Sequence, residues 1–461
     1  MKRLNWLERL EIALAASIVR TVYHLTRLAN LGEGTNFPGR IVLKLFPNLV
    51  SLLVPRFKDG WIMITGTNGK TTTTKILVEL LREQGWRVTT NARGANLITG
   101  IVTSVLLDKL DPWADFAADW AVFEIDEAVL IKSYQLFQPQ VLVVTNFSRD
   151  QLDRYGEVDS NVNRIMELIR NSDRQCKVIL NGNDPNIARI GSVVAPENRI
   201  YFGIKEELSA SSDAGLLIEK DTGTGLEASA DPTVLDIWAE SIRVDYLNGC
   251  TFDLNYRQQN TEIRTKLPGV YNILNILAAT AVGLGVGGDL QRMKQVIAAV
   301  APSYGRSEKF AYRGFPVFLF LVKNPVGFNH ILQLLAQSPG QKRILLLLND
   351  LTADGKDVSW IWDVSLENLW KVSGINEIAC SGTRAGDMAL RVKYSEPPAV
   401  PLVVDYSYKR AFQEMANRLN PGEQIIILAN YTSMNQIRPY LLRICGGNNK
   451  LDNSSPKLAV R

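Results

Sequence analysis

Short apolar runs alternate with helical periodicity along most of this chain, in two blocks with different chemistry. Over residues 60–300 the runs Trp61–Thr65, Asp119–Ile125, Gln140–Thr145, Lys177–Leu180 and Arg199–Phe202 predict strands. Helices are predicted over Thr72–Gln84, Asn161–Asn171 and Asn272–Leu284. Ile76, Leu77, Leu80 and Leu81 share one face of the first of these, the pattern of a half-buried helix. Strand–helix alternation of this kind implies an α/β domain with a mostly parallel sheet covered on both faces. The rhythm breaks over 205–262, rich in Ser, Asp, Thr and Gly and then alternating in Ile242–Leu254, which predicts a β-rich insertion. It resumes beyond a boundary near 300–310 with Val317–Val322, Arg343–Leu348, Glu377–Cys380, Pro401–Val404 and Gln424–Leu428. Residues 1–55 are mostly helical in pattern. The expected organisation is a helical segment 1–55 packing on a central domain 56–303, a C-terminal domain 304–445 and a polar, disordered tail 446–461.

Composition narrows the function classes. A chain of 461 residues with 46% hydrophobic and 21% charged residues is globular, and a net charge of +4 argues against nucleic acid as a partner. Cys176, Cys250, Cys380 and Cys445 are scattered with no C-x-x-C pair, as expected in a reducing cytosol. His24 and His330 are the only histidines, too few for a His-rich metal centre or for a Ser-His-Asp triad beside other roles. No run reaches the ~18–20 apolar residues of a membrane span. Ile12–Val19 belongs to an amphipathic helix expected to pack on the first domain. Lys2, Arg3, Arg9, Arg20 and Arg27 add a secondary reading as a contact with a membrane surface.

Four stretches carry the chemistry. In Ile62–Thr74 an apolar strand meets the turn Gly66-Thr67-Asn68-Gly69 and then Lys70-Thr71-Thr72, which opens a helix. Backbone N–H groups there attract anions, the glycines let the chain wrap an oxyanion, Lys70 can reach terminal phosphates, and Thr71 can offer a hydroxyl to Mg2+. Only two residues separate the glycines, so the loop is shorter than G-x-x-x-x-G-K-T. Glu124-Ile125-Asp126-Glu127 ends a buried strand, where a Mg2+ ligand is wanted; period two places Glu124 and Asp126 on one side of it. A solvated acidic turn is the plainer reading of the same residues. Thr145–Gly156 crowds polar side chains past the next strand, and Asn272 and Asn275 share one helix face in Gly269–Ala279. Amides can pair with an adenine edge; an N-cap Asn followed by a buried polar residue is the plainer reading.

Taken in order, these stretches resemble the ATP-binding domain of the Mur ligases. The last domain resembles the MurT family, on Lys323–Asn329, Leu348–Asp363, Ser381–Ala385 and Asn430–Thr432; Asn91–Asn96 and Asp150–Glu157 fit it too. The resemblance covers roughly residues 35–440, and its most specific part is A-D-G-x-D-x-S-W-I-W-D from Ala353. It implies a Mur-ligase-like central P-loop domain and a Rossmann-like α/β C-terminal domain. It implies that ATP and Mg2+ are used, with Glu124 and Thr71 on the metal, and Asn272, Asn275 and Arg306 on the nucleotide. The implied reaction amidates the α-carboxylate of D-glutamate in the lipid II stem peptide through an acyl phosphate. Ammonia would come from a partner glutaminase, GatD, in a heterodimer, with Asp357 completing its triad. Capping of a helix at Ser359 is the other reading of Asp357; Asp354 and Asp363 are neighbours with the same chemistry. The implied location is cytoplasmic, peripheral at the inner face of the membrane. Many MurT proteins carry a four-cysteine zinc ribbon, but this chain has only Cys250 there, so no zinc is expected. The competing functions are an amino-acid-adding Mur or folylpolyglutamate-type ligase that needs no glutaminase, and a non-catalytic ATP-binding scaffold.

Overall fold

The computed structural model describes residues 4–28, 36–91, 95–108, 111–147, 157–172, 175–205, 235–245, 247–301, 306–396 and 399–445. The side chains of Arg27, Arg306, Gln337 and residues 157–159 lie outside that description. Outside it too are Arg93, most of the Thr145–Gly156 stretch, the front of the expected insertion and the tail.

Three helices lead the chain: α1 (Trp6–Leu28), α2 (Phe37–Leu45) and α3 (Leu49–Leu53). There follow β1 (Phe57–Thr65), α4 (Lys70–Glu83), β2 (Val88–Thr90), α5 (Ile98–Leu107), β3 (Ala118–Glu124), α6 (Leu130–Phe137) and β4 (Val141–Val144). Next are α7 (Glu157–Arg170), β5 (Lys177–Asn181), α8 (Pro185–Ala188), β6 (Arg199–Ile204), β7 (Ile237–Asp245), β8 (Gly249–Tyr256), β9 (Gln259–Thr265), α9 (Val270–Gly285) and α10 (Leu290–Ala299). The nine strands form one sheet in the order β2-β3-β1-β4-β5-β6-β7-β8-β9. It is parallel as far as β7 and antiparallel from there on.

Alternation along each strand explains why both faces are covered. Trp61 and Met63 of β1, with Leu142 and Val144 of β4, enter one core, which α1 closes with Ile12, Ala15, Ala16 and Val19. Ile62, Ile64, Val141 and Val143 enter the other, closed by Ile76, Leu77 and Leu80 of α4 and by Ile273, Ile276 and Leu277 of α9. The N-terminal helices are thus part of the wall of the central domain. The β-rich stretch is different from a separate insertion: its described strands β7–β9 extend the main sheet. Alternation marks a strand, but it does not say which sheet edge the strand joins. The β3 strand also ends at Glu124, one residue before the predicted end at Ile125. Asp126 therefore leaves the strand and accepts from the Ala128 N–H (3.0 Å) as a cap.

The second sheet uses β10 (Arg306–Tyr312), β11 (Phe315–Leu321), β12 (Gln341–Leu347), β13 (Ile375–Ser381), β14 (Leu402–Val404) and β15 (Glu423–Ala429). Their order is β10-β11-β15-β12-β13-β14, parallel except for the β10–β11 hairpin. Helices α11 (Pro325–Gln337), α12 (Ala385–Lys393), α13 (Tyr408–Asn417) and α14 (Tyr431–Ile444) cover its faces. The domains meet through Tyr271 of α9, which stacks on His330 of α11 with ring centroids 5.7 Å apart and planes 4° from parallel. Val244 and Leu247 pack against the same second-domain core.

At the amino ends of the second sheet's strands sits a buried ionic group. Arg343 donates from Nε to Glu423 (2.9 Å) and also pairs with Glu377, which Arg418 reaches from outside. Burial alone would raise the Glu423 carboxyl, but hydrogen bonds from Arg343, the Asn420 N–H and Asn376 outweigh it and hold it at about 2. This carboxylate therefore contributes stability above its ordinary pKa and loses it as pH falls toward 2. Arg343→Met leaves two buried carboxylates short of a partner. It is expected to cost about 3–5 kcal/mol near neutral pH in urea denaturation, with the deficit against the parent shrinking as pH falls toward 3 and the carboxylates protonate.

Candidate active site

The site forms where β1, β3 and β4 end side by side, at the point where strand order switches about β1. Gly66 and Gly69 have φ of +129° and +88°. A Cβ on Gly66 would stand 2.2 Å from Thr145 Oγ1, and one on Gly69 2.2 Å from Asn275 Oδ1, so both positions require glycine for space as well as for conformation. The turn between them is held from β4. The Thr67 N–H donates to the Asn146 carbonyl (2.8 Å), and the Asn68 N–H to Asn146 Oδ1 (3.0 Å). Asn68's carbonyl accepts from Asn146 Nδ2 (2.9 Å) and from the Thr145 hydroxyl (2.8 Å).

A further row of bonds fixes that support. Asn181 at the end of β5 donates to the Thr145 carbonyl (3.0 Å), and Asp184 Oδ2 accepts from the Phe147 N–H (3.3 Å). Asp184 also caps α8 through the Asn186 and Ile187 N–H groups. Burial pushes its carboxyl up to about 6 despite these three donors.

Charge at the loop is paired on one side and unpaired on the other. Lys70 is buried and folds back over the turn, donating to the Gly66 carbonyl and to the Thr67 carbonyl (3.4 Å), and pairing with Glu127 (3.1 Å). Burial raises the Glu127 carboxyl above its ordinary value, against the pull of the Lys70 ammonium. Glu124, opposite Ile64 in the parallel register, is buried too, yet its Oε2 has no hydrogen-bond partner. Its backbone is pinned by Asn91, whose side chain accepts from the Glu124 N–H (3.1 Å) and donates to its carbonyl (2.9 Å). Buried, unsatisfied Thr72 Oγ1 and Thr65 Oγ1 lie on α4 and at the end of β1. A buried carboxylate oxygen without a donor, at the end of the strand beside the loop's own, suits a divalent cation. No cluster of three or more His, Cys, Asp or Glu side chains that could bind a metal by itself occurs among the described residues. That fits a hard cation completed by phosphate oxygens and water. Thr71 sits half-buried in the first turn of α4.

The structure brings most of the expected residues together. Asn272 and Asn275 lie behind the loop. Asn275 Nδ2 donates to Asn272 Oδ1 (3.2 Å), Asn272 Nδ2 to the Pro268 carbonyl (2.7 Å), and Thr73 Oγ1 to Asn275 Oδ1 (3.3 Å). Both are buried, and they tie α9 to α4. Asp357 is remote in sequence and exposed, and its Oδ1 accepts the Ser359 N–H (2.8 Å) at the start of a short 3-10 turn. Donation from the Ser359 N–H and hydroxyl holds its carboxyl below the ordinary range. Asp354 is committed elsewhere, to the Thr432 N–H (2.9 Å) and hydroxyl.

The second domain adds a residue that sequence patterning did not single out. Asn324 caps α11 by accepting the Gly327 N–H (2.8 Å), and its Nδ2 donates to Asn68 Oδ1 (3.3 Å) in the phosphate loop. Its signal was the cap pattern Asn-Pro before a helical run. Asn91 and Asp184 also had local signals, a polar residue past a strand and an Asp-Pro cap. At the far strand ends Asn349 and Asn430 exchange backbone and side-chain bonds (3.1 and 2.7 Å), and Thr383 donates to Asn349 (3.0 Å).

Comparison with known proteins covers both domains. Residues 64–283 match the Mur ligase middle domain and residues 321–434 the MurT ligase C-terminal domain. The MurT subunit of lipid II isoglutaminyl synthase (glutamine-hydrolyzing) from Streptococcus pneumoniae is 32% identical over 438 residues, 90% of this chain and 94% of that one. The corresponding subunit from Staphylococcus aureus is 31% identical over 432 residues, 90% of this chain and 95% of the relative. Among solved structures, the MurF ligase from Thermotoga maritima in complex with ADP aligns with a TM-score of 0.66 at 15% identity, over 88% of this chain and 84% of that one, a likeness of fold. A phosphate-binding loop of Mur type, a MurT-type second domain set against it and this extent of similarity lead to one conclusion: the chain belongs to the MurT family, a branch of the ATP-dependent Mur-type ligases.

Proposed function

We propose that this chain is the ligase subunit that amidates the α-carboxylate of D-glutamate in the lipid II stem peptide, using ATP and ammonia released by a GatD-like glutaminase bound to it. What carries the reading is similarity along nine-tenths of the chain to two named MurT subunits, including a second domain of MurT type. An amino-acid-adding ligase shares the loop but not that domain. The presence of Lys70, Thr71 and Glu124 together in the sequence argues against a non-catalytic scaffold.

In this mechanism the N–H groups of the loop and first turn that Asn146 does not hold, with the α4 dipole, receive the phosphates, and Lys70 exchanges carbonyl and Glu127 contacts for phosphate oxygens. A carboxylate oxygen of the substrate attacks the terminal phosphorus and ADP leaves. Ammonia then attacks the acyl carbon, inorganic phosphate leaves, and a proton is lost from nitrogen to give the amide. Glu124 and Thr71 are the residues that would hold Mg2+, whose chemistry is to neutralise phosphate charge and orient the reacting oxygens. Glutamine hydrolysis needs a reactive thiol that this chain lacks. Burial pushes the thiols of Cys176 and Cys380 up to about 12 and those of Cys250 and Cys445 to about 11. A partner therefore supplies it, and Asp357, exposed and ionised, is the residue proposed to orient that partner's histidine.

Three variants test this reading. With the chain co-expressed with its GatD-like partner, Lys70→Ala should lower amidation of lipid II by about 10²-fold or more while the complex still co-purifies; mass spectrometry of lipid II reads the acid-to-amide change, and amidation at the parental rate would remove Lys70 from the chemistry. Asp357→Asn should abolish glutamine-dependent amidation and spare the reaction with added ammonium salt; unaltered glutamine use would sink the triad role. For the domain contact, Asn324→Ser keeps an α11 cap acceptor, places no charge at this fully buried position and removes the donor to Asn68. It is expected to cut kcat/KM for ATP by about tenfold or more with only a small fall in melting temperature, and a parental kcat/KM would make that contact incidental.

A further inference from the structure

We infer that the outward face of α1 is a docking surface for an anionic lipid bilayer, lying in the plane of the membrane surface. The inference rests on the amidation reading only for its purpose, which is to bring the protein to a lipid-borne substrate. Its physical basis is separate.

Helix α1 is amphipathic twice over. Ile12, Ala15, Ala16 and Val19 are buried against the central sheet, so the helix cannot roll to hide its other side. That other side follows a three-four spacing through positions 7, 10, 14, 17, 21, 24 and 28. Leu7 is 56% exposed, Leu14 50% and Leu28 82%, with Leu10 and Leu25 beside them and Trp6 64% exposed at the helix start. This is a row of large apolar side chains facing water, a pattern that marks an interaction surface.

Three positions of the row are polar: His24 is exposed, and the other two are satisfied within the helix. Ser17 donates its hydroxyl to the Ala13 carbonyl (2.9 Å) and Thr21 to the Ser17 carbonyl (3.0 Å), so each is satisfied inside the helix before anything covers it. Desolvating them costs little. The sequence charge favours an anionic surface: residues 1–28 hold five basic residues, Lys2, Arg3, Arg9, Arg20 and Arg27, against Glu8 and Glu11, and the balance stays positive after Arg9 is spent on Asp115. Trp113, 57% exposed, is held at the same end of the helix by Arg9, which donates to the Ala114 carbonyl (3.1 Å) and pairs with Asp115 (2.9 Å). Tryptophans suit the boundary between headgroups and acyl chains. Among the described residues no single helix is long and apolar enough to cross a membrane, so the contact is interfacial.

The test uses the full chain with vesicles that contain no lipid II. One set is phosphatidylcholine with phosphatidylglycerol in about a two to one ratio, the other phosphatidylcholine alone. The parent chain should float with the anionic vesicles and less with the neutral ones, and added salt should weaken the binding. The double variant Leu10→Gln, Leu14→Gln should partition about tenfold or more weakly, with unaltered melting and circular dichroism. It should amidate a water-soluble stem-peptide analogue at the parental rate but vesicle-embedded lipid II more slowly. A parent chain that ignores both vesicle types, or a variant that floats like the parent, overturns the docking surface. Self-association of the parent that the double variant abolishes, without vesicle binding, assigns the row to a second copy and overturns it as well. Failure to amidate even the soluble analogue counts instead against the amidation reading.

Discussion

The grip of Asn146 on the backbone of Asn68 is the contact on which the site depends. A loop with two residues between its glycines has little internal hydrogen bonding, and its N–H groups can face an anion only if something outside fixes the turn. Here the Asn146 carboxamide accepts from the Asn68 N–H and donates to the Asn68 carbonyl, while its own carbonyl takes the Thr67 N–H. Asn181 and Asp184 in turn fix the strand end that carries Asn146 and its neighbours. The Asn68 side chain is then left to meet Asn324 of the second domain. The loop is thus positioned by its sheet and read by its neighbour domain through one residue.

This arrangement shows which features local sequence can carry. The phosphate loop was legible because its determinants are adjacent: an apolar strand, two glycines with forced backbone geometry, and a helix start. Glu124 was legible for the same reason, as a carboxylate ending an apolar run. The role of Asn275 was not, because its partner Thr73 lies 202 positions away and the Gly69 it crowds belongs to another element. The contact between Asn324 and Asn68 spans 256 positions and depends on how two sheets pack. The strands β7–β9 carried a readable alternation, yet their place at the edge of the main sheet follows from pairing with β6, which alternation does not encode. Among Asp354, Asp357 and Asp363, one stretch held three carboxylates of the same chemistry. Only tertiary structure separates the first two, since Thr432 engages the first and leaves the second at the surface.

Electrostatics divides each domain between its two ends. At the amino ends of the second sheet, Arg343 and Arg418 together balance Glu377 and Glu423 in place, a group whose charges are matched within the fold. At the carboxyl ends of the first sheet the accounts are left open. Lys70 is paired with Glu127, a carboxylate whose charge burial disfavours and the Lys70 ammonium favours. Glu124 keeps a buried oxygen with no donor at all. Such an oxygen is tolerable in a stable domain only where its cost is offset elsewhere, or where a cation arrives with the ligand. Two neighbouring carboxylates therefore differ in environment: Glu127 is paired with Lys70, and Glu124 keeps an oxygen without a hydrogen-bond donor.

The same division bears on how ammonia chemistry could be assigned to a ligase fold. A Mur-type middle domain can activate a carboxylate whatever the nucleophile, because phosphate binding and charge neutralisation do not depend on what attacks next. What differs from an amino-acid-adding ligase is the second domain, which contributes to the loop through Asn324 and presents Asp357 at its surface. In the proposed reaction the attacking group is a neutral molecule too small to be recognised by shape. Selectivity in that reaction would come from delivery, with ammonia made by the proposed partner. A second domain that touches the phosphate loop directly is suited to that task, since its placement can register whether nucleotide is bound before ammonia is released beside it.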